Sequence, residues 1–454
     1  MCIVMNNSEK YRALRERYPR FEYRSYDWYV DEAGLHLRFE FVLDGENVFR
    51  PEALVEARPF LKFDLPREVL DRLVFDIGMV ELVSYWKCAC PPKVVVRCGG
   101  LTADQVAFWR KLYWHGLGEF FYTNGIEVSR ETFMELESDV EPEALPALEL
   151  PSTASYLVPV GGGKDSVVTL ELLRRAGREV RPLIMNPRGA TRECARVAGF
   201  PIEEVLVVRR TIHPRLLELN AQGFLNGHTP FSAMLAFYTR LASVLSGIPN
   251  VALSNESSAN ESTVLGTDVN HQYSKSLEFE DDFRRYCAEA GGGFNYFSFL
   301  RPLSELQIAM LFSRFAAYHD VFRSCNAGSK EDIWCGRCAK CLFAYIILSP
   351  FIAPGRLAEI FGKALLDDEA LRPEFEQLMG LAATKPFECV GTVGEVRQAL
   401  AMAISRWYTG KRPALLRDLN IAVGCNDLGT LLPIGNLTAG ERKILEDACT
   451  ESNS

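Results

Sequence analysis

Two runs near the start of the chain alternate apolar and polar residues, 21–30 (FEYRSYDWYV) and 35–43 (LHLRFEFVL), with Asp31-Glu-Ala-Gly34 between them. A period of two puts one side of each run against a core, and a short Gly-bearing break between two such runs predicts a β-hairpin. Asp44-Gly45 marks the next turn. Thr102-Ala-Asp-Gln105 is a capping box, and the helix behind it carries Val106, Phe108, Trp109 and Leu112. Trp86, Trp109, Trp114, Phe120, Phe121 and Tyr122 read as core packing. Residues 1–150 therefore form an N-terminal α+β domain, closed by an acidic, proline-broken linker over 135–146 and by Pro151-Ser-Thr153.

The pattern changes after residue 150. Short apolar runs at 156–160, 180–185, 203–208 and 250–254 alternate with helical stretches at 167–174, 191–198 and 230–245. Strands alternating with helices predict a parallel sheet with crossover helices, an α/β core over residues 151–348. From 349 to 454 the chain reads as helical. Thr392-Val-Gly-Glu395 and Thr438-Ala-Gly-Glu441 are capping boxes ahead of apolar stripes that include Val396, Ala399, Leu400, Ile444 and Leu445. This C-terminal helical region is read as a cap over the substrate.

Length allows two or three domains, since 454 residues exceed what one core supports. The net charge of −9 disfavours a protein that holds a long nucleic acid and leans towards a small-molecule substrate. No apolar run approaches the ~20 residues that span a bilayer, and residues 1–10 lack the regions of a signal peptide. A cytoplasmic protein is expected. Thirteen cysteines, an odd number, then point to thiols and metal ligands over disulfides.

The candidate chemistry begins where the run 156–160 enters Gly161-Gly-Gly-Lys-Asp-Ser166. Three glycines let backbone N–H groups converge, and the helix behind them adds its unpaired N–H groups and the positive end of its dipole. This is an anion site, most simply for phosphate. It is not a Walker A loop, because the G-x-x-x-x-G-K-[ST] spacing is missing and Lys164 precedes an Asp. Asp165 also reads as an N-cap, and Lys164 as a point charge or a solvent-facing side chain. A ligand in a parallel sheet binds at the carboxyl ends of the strands. That brings in Asn226 and His228, ahead of the long helix, and Ser254, Asn255 and Glu256, which open a polar loop behind a buried strand. Cys325 and Cys335-Gly-Arg-Cys338-Ala-Lys-Cys341 supply four thiols at metal-ligand spacing, most simply for structural Zn2+, with an iron–sulfur cluster as the alternative. Cys88-Ala-Cys90 and Cys98 read as buried thiols.

The loop resembles the S-G-G-x-D-S loop of the PP-loop ATP pyrophosphatases, which split ATP into AMP and pyrophosphate. The order of glycine loop, long helix, polar loop, Arg301-Pro-Leu-Ser-Glu-Leu306 and cysteine cluster is similar to the 7-cyano-7-deazaguanine synthase branch over about residues 155–345. The whole chain looks like the MurL family of ATP-dependent UDP-N-acetylmuramoyl-L-alanyl-L-glutamate epimerases. The resemblance implies a Rossmann-like PP-loop core, of the adenine nucleotide alpha hydrolase type. It also implies a UDP-muramoyl dipeptide substrate and a place in peptidoglycan precursor synthesis, hence in cell-wall biogenesis, shape and division. No nucleic-acid or membrane partner is expected. One departure is that Gly161 stands where the PP-loop pattern has Ser.

The same resemblance implies that Gly161, Gly162, Gly163 and Ser166 hold the β- and γ-phosphates of ATP. Asp165 would bind Mg2+, and a substrate oxygen would attack the α-phosphorus. The groups that move the α-proton are open at this level. His271 and Lys275 are placed near the substrate, and His228, Glu256 and Cys325 are further candidates. Two other classes compete, an adenylating ligase or amidating enzyme, and a nucleotide-binding regulatory protein with a degenerate loop.

Overall fold

The computed structural model describes residues 6–143, 150–260, 273–289, 294–382, 384–386, 388, 390–421 and 428–450. In chain order its strands are β1 (Arg20–Asp31), β2 (Gly34–Leu43), β3 (Asn47–Phe49), β4 (Glu52–Glu56), β5 (Lys93–Val96), β6 (Glu135–Ser138), β7 (Ser155–Pro159), β8 (Glu179–Met185), β9 (Leu206–Arg210), β10 (Asn250–Leu253) and β11 (Asn295–Ser298). The chain divides into two compact units. One comprises Met1–Thr153, Leu206–Pro249 and Val269–Asn295; the other comprises Ala154–Val205, Asn250–Asp268 and Tyr296–Ser454.

In the first unit the strand order is β9-β4-β2-β1-β5-β6, with β3 also on β2. The alternating runs form the expected hairpin: β1 and β2 pair antiparallel from Phe21↔Leu43 to Asp31↔Gly34, around a two-residue turn. One expectation is corrected. Residues 135–138 are not linker but a strand, β6, which pairs parallel with β5 from Lys93↔Glu135 to Val96↔Ser138. Only Leu136 of its four residues is buried, so an edge strand this short leaves almost no hydrophobic pattern to read. Helix Arg67–Trp86 is buried nearly all round, which identifies it as a core helix. Its two buried acids are paired, as burial requires. Asp76 accepts from Arg240 at 2.9 Å and from Tyr286 at 2.7 Å, and Glu81 accepts from Arg210 at 2.5 and 2.6 Å. Cys88 and Cys90 are buried thiols outside any disulfide, and burial pushes the Cys88 thiol up to about 12.

In the second unit the order is β11-β10-β7-β8. β10 and β8 flank β7 in parallel register, Asn250↔Tyr156 and Tyr156↔Val180. Phe299 donates its N–H to the Leu253 carbonyl at 2.8 Å, at the end of β10. Helices Lys164–Arg175 and Gly189–Val197 follow β7 and β8, the α/β arrangement that the sequence predicts. Beyond residue 349 the described elements are helical, including Pro354–Phe361, Arg372–Leu378, Val393–Trp407 and Ala439–Thr450. Because β7 and β10 are parallel neighbours, the segments that leave their carboxyl ends emerge along one edge of the sheet. That edge carries the glycine loop and the polar loop. Among the described residues no helix is long and apolar enough to cross a membrane.

Candidate functional site

The glycine loop leaves β7 at Pro159, and the Val160 N–H is still held by the Leu183 carbonyl at 2.8 Å. Each of the three glycines meets a different constraint. Gly161 is exposed, and a Cβ there would touch nothing within 4 Å. Gly162 has φ +82°, and a Cβ would lie 3.0 Å from Ala190 and from the Thr191 nitrogen. Its carbonyl accepts from the Arg323 N–H at 2.8 Å. Gly163 faces Ser324, whose Oγ would sit 2.6 Å from a Cβ. A Ser is therefore accommodated at 161, whereas 162 demands glycine.

Gly163 is the N-cap of helix Lys164–Arg175 and gives it no side-chain cap. This corrects the expectation that Asp165 is the N-cap; Asp165 lies in the first turn. The first N–H groups of any helix lack intrahelical acceptors, and Gly163 supplies no side chain to cap them here. Ser166 donates its hydroxyl to the Gly163 carbonyl at 3.1 Å. That bond ties the first turn to the loop.

Lys164 is also corrected: it does not face solvent. It is 4% exposed, and its Nζ donates to Asp165 Oδ1 and to Glu305 Oε2. Burial works against the ammonium, but the charges of Asp165 and Glu305 outweigh it and raise its pKa. Glu305 is 2% exposed. Burial pushes its carboxyl up; Lys164 pulls it partly back, while Asp165 and Glu256 push it further up and Lys340 opposes them. Glu256 thus lies within electrostatic reach of Glu305. It is buried, and its Oε1 accepts from Ser258 at 3.1 Å.

The polar loop behind β10 is bonded to the same helix. Ser254 donates to Thr169 Oγ1 at 2.8 Å, and Asn255 Nδ2 donates to Ser298 Oγ at 3.0 Å. Fully buried Arg301 fixes the loop's backbone, donating to the Glu256 carbonyl at 2.8 Å and to Ser298 Oγ at 3.1 Å. Arg301, Glu305, Arg323, Ser324 and Thr169 escaped the sequence reading as contributors to the site. The quoted stretch 301–306 holds two of them, and the order Ser324-Cys325 beside the cysteine cluster was the other available signal.

Asn226, His228 and Lys275 belong to the first unit. His228 Nδ1 lies 3.1 Å from Glu119, and Asn226 accepts the Gly227 N–H at 2.8 Å. Buried Lys87 holds this segment, donating to the Gly227 carbonyl and, at 2.5 Å, to Thr229 Oγ1. Lys275 ends a 3-10 turn, Tyr273–Lys275, whose Tyr273 donates to Asp282 at 3.2 Å. His271 lies outside the described residues.

The four predicted thiols converge. Their Sγ atoms lie within 4.8 Å of one another, at 3.5 Å for Cys338–Cys341, 3.7 Å for Cys335–Cys341 and 4.0 Å for Cys325–Cys338. Four sulfurs each ~2.3 Å from a tetrahedral zinc are about 3.8 Å apart, so the donors fit the ion in both kind and spacing. The Gly328 N–H points at Cys325 Sγ from 3.1 Å, as a thiolate would require. Cys338 is the N-cap of helix Ala339–Leu348 and Cys341 lies in its first turn. The cluster also borders the loop, since Arg323 and Ser324, the loop's neighbours, directly precede Cys325.

The chain matches the MurL N-terminal domain over residues 12–299 and the MurL C-terminal domain over residues 321–422. It is 38% identical, over 78% of its own length and 79% of the relative's, to a UDP-N-acetyl-alpha-D-muramoyl-L-alanyl-L-glutamate epimerase of Xanthomonas oryzae pv. oryzae. Proteins of the same description from Salinispora tropica and a Micromonospora species are each 36% identical. They share 85% of this chain, and 85% and 87% of their own lengths. The chain belongs to the MurL family.

Proposed function

We propose that this protein inverts the α-carbon of the terminal glutamate in UDP-N-acetylmuramoyl-L-alanyl-L-glutamate, from L to D, in the cytoplasmic synthesis of peptidoglycan precursors. In this reading it first adenylates that glutamate with ATP. Family membership supports the overall reaction. The observation that carries the ATP step is the glycine loop running into a helix whose N-terminus has no side-chain cap, with Lys164 and Asp165 in its first turn.

The chemistry supplies a reason for the nucleotide. Removing an α-proton beside a free carboxylate places a second negative charge next to the first. Adenylation neutralises that carboxylate and makes the carbon more acidic, with release of pyrophosphate. The glutamate nitrogen is acylated by alanine, so the alanyl carbonyl oxygen can also attack the activated carboxyl, expelling AMP with loss of the amide proton, to close an oxazolone whose α-proton is more acidic still. Hydrolysis of the adenylate (releasing AMP) or of the oxazolone then restores the carboxylate. An N-methylated glutamate cannot form the neutral oxazolone, and epimerisation of such a substrate would exclude this branch.

Within the chain the N–H groups around Gly162, Gly163 and the first helical turn would bind the terminal phosphates, with Lys164 adding charge beside them. Asp165, with 30% of its side chain accessible, is the residue that would hold Mg2+, which neutralises charge on the leaving pyrophosphate. Cys325, Cys335, Cys338 and Cys341 would hold zinc in a structural role, keeping Arg323 and Ser324 against the loop. The test is incubation in D2O. Deuterium appearing at the glutamate α-carbon only when ATP is present supports the reading; exchange at the same rate without ATP defeats it.

A further inference from the structure

Buried charge lies behind the glycine loop and leads towards the C-terminal helices. Lys164 Nζ is shared between Asp165 and Glu305. Glu305 is the first residue of helix Glu305–Ser313, which Ser304 and Gln307 cap reciprocally. Its backbone N–H donates to Glu395 Oε1 at 2.7 Å. The other Glu395 oxygen accepts from the Thr392 N–H at 2.8 Å and from Thr392 Oγ1 at 3.0 Å, closing the capping box of helix Val393–Trp407. Gly391 fits tightly here. A Cβ on it would lie 2.9 Å from Glu395 Oε2 and 3.0 Å from Glu305 Cγ.

We propose that Glu305, braced by Glu395, is a positioning residue that fixes Lys164 at the phosphate end of the glycine loop, so that the C-terminal helix Val393–Trp407 sets the loop's competence. This rests on the reading of the loop as an ATP site. The reasoning is geometric. Lys164 Nζ reaches Asp165, its neighbour in sequence, as well as Glu305. A lysine held by Asp165 alone would therefore cover the one carboxylate assigned to Mg2+. Glu305 supplies a second anchor from another helix. Asp165 can then turn to the cation while Lys164 keeps a charged partner and stays beside the phosphates.

A buried ion pair is by itself weak evidence for stability, so the positioning role must show in substrate handling. Lys164 acts on the triphosphate, and a displaced Lys164 weakens ATP binding while leaving the muramoyl dipeptide unaffected. The full-length chain is compared as wild type, E305Q, E305D and E395Q, with KM for each substrate and kcat measured separately. For E305Q we expect KM for ATP to rise about tenfold or more, the loss of one charge-assisted contact. KM for the dipeptide should stay within about twofold. E305D, which keeps the charge, should recover part of the ATP effect. E395Q keeps a capping-box residue and should move KM for ATP in the same direction by less.

Hydrogen exchange of the 156–174 peptide in the nucleotide-free protein gives an arm that needs no ATP chemistry. It should speed up in E305Q and E395Q. If wild type binds ATP without forming AMP, or binds none, the proposed function fails, and the exchange arm still decides the positioning. Folded E305Q with unchanged KM for ATP and unchanged exchange overturns the proposal, as does an equal rise in both KM values. If E305Q does not fold, E305D and E395Q carry the decision on the same readouts.

Discussion

The loop glycines give the sharpest test of the geometry, because neighbouring residues of one type are expected to differ. Gly162→Ala forces a non-glycine residue into a left-handed conformation at φ +82°, at about 1–2 kcal/mol. It also presses a Cβ to 3.0 Å from the backbone at Ala190 and Thr191, which adds about 1–3 kcal/mol of overpacking. Together that is roughly 2–5 kcal/mol, because the atoms that must yield are helix backbone. Gly161→Ser has no neighbour within 4 Å and needs no left-handed backbone. It should change stability by less than about 0.5 kcal/mol, and, on the proposed reading of the loop as an ATP site, the added hydroxyl should tighten ATP binding. Gly163→Ala falls between the two, because the clash at 2.6 Å is with the hydroxyl of Ser324; adding Ser324→Ala should relieve it. Hydrogen-exchange protection of the loop and calorimetric ATP binding measure the series, since a chain of two units is a poor subject for two-state unfolding. A Gly162→Ala protein that matches wild type, or a Gly161→Ser protein as damaged as Gly162→Ala, would refute this reasoning.

Three further outcomes follow from other parts of the structure. The purified chain should carry about one zinc, and Cys335→Ser should both release it and raise KM for ATP, because the cysteine segment walls the loop; metal analysis alongside kinetics checks both. Asp76→Ala takes the buried carboxylate away from Arg240 and Arg72, which lie 2.9 and 3.1 Å from it, and should cost about 3–5 kcal/mol in denaturant unfolding of the first unit followed by exchange. Glu171 is buried, which raises its carboxyl pKa, but Tyr318 at 2.5 Å and the Arg174 and Arg175 guanidinia prevail and hold it below the usual value of 4.5. A folded-state pKa below the unfolded one stabilises the fold above the unfolded value, and that stability is lost as pH falls through the folded value. Glu171→Gln should therefore leave the pH dependence near neutrality unchanged and flatten the fall of thermal stability as pH drops below about 4.5.

What the sequence reveals and what it hides have physical reasons. The hairpin, the capping boxes at Thr102 and Thr392 and the glycine loop are local signals, encoded within a few residues, and the structure contains them. The cysteine cluster is legible for the same reason, apart from its contact with the loop. Lys164 was misread because its partner, Glu305, is 141 positions away, and a glutamate after a helix N-cap looks like ordinary capping chemistry. Glu395 was visible as a cap, yet its bond to the Glu305 N–H is a tertiary contact that no spacing encodes. The short edge strand β6 hid because four residues with one buried side chain carry no period.

The central claim is that inversion of the glutamate is driven by adenylation at the glycine loop. Its most direct measurement is a single incubation of the chain with ATP, Mg2+ and UDP-N-acetylmuramoyl-L-alanyl-L-glutamate, scoring AMP, pyrophosphate and glutamate chirality over the same time course. The expected result is D-glutamate appearing only with ATP, accompanied by AMP and pyrophosphate in equal amounts, and none of the three from Asp165→Asn. Inversion without ATP, or AMP formation with the glutamate still entirely L, would contradict it.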